Sequence, residues 1–104
     1  MYSERLRAPR HSFVAVIDLI NIQSDRHLAA LMRDLSLSGC SVKTETPFPK
    51  GAKVWLRILH AGVNFHAEGK VAYSRTDSGM GIAFTAIEAS GMPILDSWLA
   101  HLRN

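Results

Sequence analysis

Three arginines stand close together near the start of the chain, at Arg5, Arg7 and Arg10, with His11 beside the last. A guanidinium is a planar fork of donors that matches phosphate oxygens and the edge of guanine. Farther along, the stretch RDLSLSGC (33–40) places Asp34, Ser36 and Gly39 within six positions, followed by the only cysteine, Cys40. Each group has two readings. The arginines are either a solvated terminus, where such charges often sit, or an arm that closes over an anion. Asp34 and Ser36 either bond their own backbone in a turn, with Gly39 as the turn glycine, or form a place built for a ligand.

The other reactive residues point to less. Cys40 opens a strand with no His–Asp pattern around it, so it reads as a core thiol and not as a nucleophile. One cysteine makes neither an internal disulfide nor a cysteine-built zinc site. His60 and His66 flank a tight turn and are placed to face each other across a hairpin, but they lack the carboxylate cluster of a metal site. Gly79-Met80-Gly81 lacks the helix that a phosphate-binding loop needs. No acid–base or nucleophile constellation appears, so an enzyme is not expected, and neither is a cofactor or a metal.

These residues must be positioned by one domain, because 104 residues suffice for one core and 47% of them are apolar. No apolar run is long enough to span a membrane, and the charged opening MYSERLRAPR is not a secretion signal. The net charge of +3 and the pI near 9.4 mildly favour an anionic partner.

Residues 1–12 read as a flexible basic arm and 13–104 as a single domain. FVAVIDLINI (13–22) is apolar on both faces, apart from Asp18, and reads as a strand with much of both faces covered. HLAALMRDL (27–35) would allow a helix by composition, but its length and its setting favour a strand. CSVKTET (40–46), KVWLRIL (53–59) and VNFHAEGKVAYS (63–74) alternate, and the last puts Val63, Phe65, Ala67, Val71 and Tyr73 in phase. PFPKGA (47–52), HAG (60–62) and RTDSG (75–79) are turns, and MGIAF (80–84) is the sixth strand. The period then changes. Ile94, Leu95, Trp98, Leu99 and Leu102 form one face of a helix over about 90–102, with Ser90 as N-cap and Pro93 in its first turn. Six strands with short turns predict an all-β, closed antiparallel barrel, with the helix over an open end or an outer face.

In this order the pieces resemble the PilZ domain family over nearly the whole chain. They are the arginine segment 5–10, Asp34-x-Ser36-x-x-Gly39, Gly69-Lys70-Val71 and Gly81-Ile82-Ala83-Phe84. The resemblance implies a six-stranded PilZ-type barrel that binds the bacterial second messenger cyclic di-GMP. By that resemblance Arg5, Arg7 and Arg10 on the arm would clasp the ligand together with Asp34, Ser36 and Gly39 on the barrel. Arginine forks would meet phosphates and guanine O6 and N7, and Asp34 would accept from guanine N1–H and N2–H. Ser36 would donate to the ligand, and Gly39 would allow close approach or a positive φ.

The chain departs from the family's Arg-x-x-x-Arg. With Arg10 as the second arginine, Leu6 stands in the first place, flanked by Arg5 and Arg7. Two functions follow from this. One is a cytoplasmic bacterial receptor for cyclic di-GMP, acting through arm order, association or a downstream protein. The other is a ligand-independent adaptor for a protein partner. The resemblance also admits a homodimer. DNA or RNA is not expected, because the stripe formed by Trp55 and Arg57 is too short for a nucleic-acid platform.

Overall fold

A computed structural model describes residues 9–102. The strands are β1 (His11–Asn21), β2 (Arg26–Leu35), β3 (Gly39–Lys43), β4 (Lys53–His60), β5 (Val63–Arg75) and β6 (Gly79–Ile87), followed by the helix α1 (Gly91–Leu102). All neighbours are antiparallel, and the sheet closes in the order β1-β2-β3-β6-β5-β4, with β4 pairing back onto β1. Closure removes the free strand edges that would otherwise expose unpaired N–H and C=O groups.

The alternation of side chains decides what fills the barrel. Ile17 and Leu19 of β1, Met32 and Leu35 of β2, Val54 and Ile58 of β4, and Phe65 of β5 are buried inside. The stretch 27–35 is a strand, as its setting indicated. Its helix-compatible composition yields to pairing with β1 on one side and β3 on the other. β1 departs from the reading of a strand covered on both faces. Its odd positions from 13 to 21 are buried, but Val14 is 67% and Val16 45% exposed. A closed barrel has one interior, and among the described residues nothing packs over the outer face of β1.

Both mouths are stoppered by apolar side chains. At one end α1 inserts Leu95 and Leu99 into the core, so the helix covers an open end. Trp98 adds an aromatic cluster there, with ring centroids 5.3 Å from Phe13, 5.8 Å from His60 and 6.0 Å from Phe65. At the other end the β3–β4 loop drops Phe48 into full burial, and Arg26 sits over its ring at 5.2 Å. The β4–β5 hairpin turns through Ala61 (φ 52°) and Gly62 (φ 77°), both left-handed, as a two-residue turn between twisted strands requires.

Candidate functional site

Arg10 lies just before β1, and Asp34 lies near the end of β2. The pairing of Ser12 with Asp34 brings these two chain segments side by side. The Arg10 guanidinium donates from Nε and Nη2 to Asp34 Oδ1, both at 3.2 Å, and from Nη2 to Oδ2 at 3.4 Å. Nη2 also reaches the Tyr73 hydroxyl of β5 at 3.5 Å. The Tyr73 hydroxyl and, at shorter range, the Asp34 carboxylate both raise the proton affinity of Arg10 above its ordinary value, against partial desolvation. The three side chains form a polar bridge on the outer barrel wall.

The Ser36–Gly39 turn lies beside this bridge. Ser36 is buried, and its Oγ accepts from the backbone N–H of Ser38 (3.2 Å) and of Gly39 (3.1 Å). Its own N–H donates to the Gly39 carbonyl at 2.8 Å. The hydroxyl therefore shapes the turn directly and lines a hollow only through that turn. Gly39 does not take a positive φ. It is glycine because β6 passes so close that a Cβ would run into the Ile82 carbonyl oxygen.

Tyr73 was not among the expected site residues. Simple alternation puts it in phase with Val71, on the inner face. The ladder between β5 and β6 slips between these two residues, so that Val71 pairs with Ile82 and Tyr73 with Gly81. An extra residue in one strand re-aims the side chains beyond it. Val71 is buried, whereas Tyr73 is 38% exposed on the outer wall. Its ring lies over Gly81, in the space that a Cβ at 81 would fill. Val63, placed in the same inward phase, is also open to solvent at the hairpin end.

Two adjoining hollows share Arg10 and Tyr73. One, of about 240 Å3, is lined by Arg10, Ser36, Ser38, Gly39, Tyr73 and Gly81, among others. The second, of about 460 Å3, includes Arg10, Arg33, Asp34, Tyr73, Arg75 and Ser78 in its lining. The Arg75 guanidinium lies 5.7 Å from the Tyr73 ring centre. The barrel therefore brings Arg10, Asp34, Ser36 and Gly39 together, as their order suggested, and adds Tyr73, Arg33 and Arg75. Arg5 and Arg7 lie outside the described residues. The assembled wall offers cationic forks, one carboxylate, backbone at a tight turn and an exposed aromatic ring. That set suits a ligand carrying both phosphate and planar bases.

The histidines do not face each other. His60 pairs with Val63 and stacks 4.5 Å from Phe13, whereas His66 lies opposite Arg57. The turn offsets the two by three residues each way, and the aromatic end cluster takes His60. Among the described residues no three His, Cys, Asp or Glu side chains converge as metal ligands. Cys40 is buried, and desolvation first, then the nearby Asp34 charge, pushes its thiol up to about 12 against the opposing pull of Arg10. No helix among the described residues is long and apolar enough to cross a membrane.

The family model of the PilZ domain matches residues 4–101. The chain belongs to the PilZ domain family. Among solved structures, this PilZ domain resembles the Bacillus subtilis inhibitor of motility MotI/DgrA, with a TM-score of 0.75 and 15% identity over 93% of the chain. It spans half the length of that neighbour. It also resembles the PilZ domain of CeSA from a cellulose-synthesizing bacterium, with a TM-score of 0.72 and 16% identity over 93% of this chain and all of that one. Identities this low speak to the barrel and helix, which they share. No curated protein matches the sequence. PilZ domains are generally non-catalytic binding domains.

Proposed function

We propose that this PilZ domain is a receptor for cyclic di-GMP in a bacterial cytoplasm, and that it converts binding into a change in arm order or association that a partner protein reads. The observation that carries the reading is the Arg10–Asp34–Tyr73 bridge beside the Ser36–Gly39 turn. Family membership supports it. Cyclic di-GMP has two phosphates and two guanines. Arg10 suits a phosphate or guanine O6 and N7, and Asp34 suits guanine N1–H and N2–H. Tyr73 and the Arg75 guanidinium offer planes on which a base stacks. The Arg10–Asp34 pair is partly exposed, at 43% and 29% of the two side chains, so it is a weak lock. Exposed pairs contribute about 0–1 kcal/mol, so a ligand that takes both partners loses little by separating them. The named neighbours are an inhibitor of motility and a domain from a cellulose-synthesizing bacterium. An output through a partner protein is in keeping with such settings.

Calorimetric titration of the chain with cyclic di-GMP tests this. Micromolar or tighter binding is expected, weakened at least about tenfold by Arg10→Ala and by Asp34→Ala, since each removes a charged contact. No heat from a protein shown by circular dichroism to be folded would rule the receptor reading out.

One observation favours the second reading, a ligand-independent adaptor. Leu6 occupies the place of the first family arginine, and Arg10 is already bound to Asp34 within the chain. In that case partner binding would survive Arg10→Ala and Asp34→Ala unchanged.

A further inference from the structure

Away from the arginine groove, a second trough of about 490 Å3 opens on the outer wall, with Asp18, Ile20, His27, Trp55, Arg57 and His66 among the residues lining it. None of its lining residues lines the hollows around Arg10. It belongs to a face that is unusually apolar. Val16, Leu31, Trp55 and Leu59 are each between 40% and 50% exposed. Single exposed apolar residues are ordinary, but several gathered on one face around a charged pair mark an interaction surface.

The register shows how this set is arranged. Val16 of β1 sits between Leu31 of β2 and Leu59 of β4. One row along, Asp18 pairs with Arg57, and their side chains form an ion pair at the centre of the face. In the next row Ile20 lies beside Trp55, flanked by His27 and Glu68. An acid and a base thus stand side by side, with apolar pairs in the rows above and below.

Such a face is complementary to its own image. A two-fold axis lying in the interface, parallel to the strands and midway between β1 and β4, sets each β1 position opposite its β4 neighbour in the other copy. Asp18 then faces Arg57, Val16 faces Leu59, and Ile20 faces Trp55. At the flanks, His27 faces Glu68. Charge meets opposite charge and apolar meets apolar, as a closed two-fold contact requires. We infer that a second copy of this chain docks on the outer face of β1 and β4, through reciprocal Asp18–Arg57 contacts around Trp55. Four strands about 4.8 Å apart and three rows about 6.8 Å apart span roughly 20 by 20 Å. That is roughly 400 Å2 on each copy, below the size of stable complexes and in the range of weak, transient contacts, so the dimer is expected to form only at micromolar or higher chain concentration.

Sedimentation of the full chain from low micromolar to high micromolar concentration tests the face without any ligand, so its outcome is independent of the receptor reading. The unmodified chain is expected to show a reversible monomer–dimer equilibrium. Asp18→Lys and Arg57→Glu, each checked for fold by circular dichroism, set like charges opposite one another twice per dimer. Each is expected to weaken association at least about tenfold. An equimolar mixture of the two variants is expected to dimerise again. The new lysine of one chain then faces the new glutamate of the other, and the unchanged Arg57 of the first faces the unchanged Asp18 of the second. A parent chain that stays monomeric throughout, variants that associate as the parent does, or a mixture that stays monomeric would each overturn the inference.

Discussion

The Tyr73 ring lies over Gly81, its partner in the β5–β6 ladder, and occupies the space where a side chain at 81 would stand. Tyr73 in turn accepts from Arg10, which holds Asp34. One glycine with no direct part in the polar bridge therefore sets where the bridge stands. Gly81→Val is expected to push the ring off the wall and to weaken cyclic di-GMP binding at least about tenfold, at a stability cost of about 1–3 kcal/mol from overpacking. Titration calorimetry and thermal unfolding measured on the same sample separate the two effects. Unchanged affinity in a folded variant would show that the position of Tyr73 is irrelevant to the site.

Gly39 is constrained by backbone and not by a flexible side chain. A Cβ there meets the Ile82 carbonyl oxygen, and β3 and β6 pair directly at this point. Gly39→Ala is expected to cost about 2 kcal/mol or more. In a domain of this size that lowers the midpoint of thermal unfolding by roughly 8 °C or more. A shift of only a degree or two would mean that the strands part without strain.

Ala61 occupies a left-handed conformation, φ 52°, that suits asparagine better, and Gly62 already follows it. Asn-Gly is the preferred pair for this hairpin turn. Ala61→Asn is expected to stabilise the fold by roughly 0.5–1 kcal/mol, read as a raised midpoint in thermal or urea unfolding. A lowered midpoint would contradict the assigned turn.

Cys40 offers a test by pH. Its thiol lies near 9.0 when free in the chain and is pushed up to about 12 in the folded barrel, chiefly by burial. Below about pH 9 both states hold the proton, and the thiol adds no pH dependence. Between about 9 and 12 the unfolded state ionises first, so stability falls as pH rises. Cys40→Ala is expected to remove that part of the slope. A maleimide probe at neutral pH is expected to label native protein far more slowly than urea-unfolded protein, and equal rates would contradict the burial.

The local elements were largely legible in the sequence because period and turn chemistry are local properties. Alternation marked the strands, and the pattern from Ile94 to Leu102 marked the helix. HLAALMRDL was legible only from its neighbours, since its composition suits either state. The exposure of the outer face of β1 is not legible in the sequence for the same reason. An apolar residue such as Val14 or Val16 looks the same whether it is covered or exposed, and only the topology shows which side has a partner.

Residue types and spacing marked Arg10, Asp34, Ser36 and Gly39 as candidates, because a fork, an acid and a turn keep their chemistry wherever the chain puts them. What they do to one another was decided by tertiary structure. The slip between Val71 and Tyr73 that turns the tyrosine outward is a property of two paired strands and not of either alone. The close approach that demands Gly39 comes from Ile82, more than forty residues away in sequence. The Asp18–Arg57 pair at the centre of the second face likewise exists only because β4 closes the barrel onto β1. The sequence alone determined the strands, the helix and the chemistry they carry. Closure of the sheet decided which of those side chains meet, because strand partners and register depend on contacts between distant segments that no local pattern encodes.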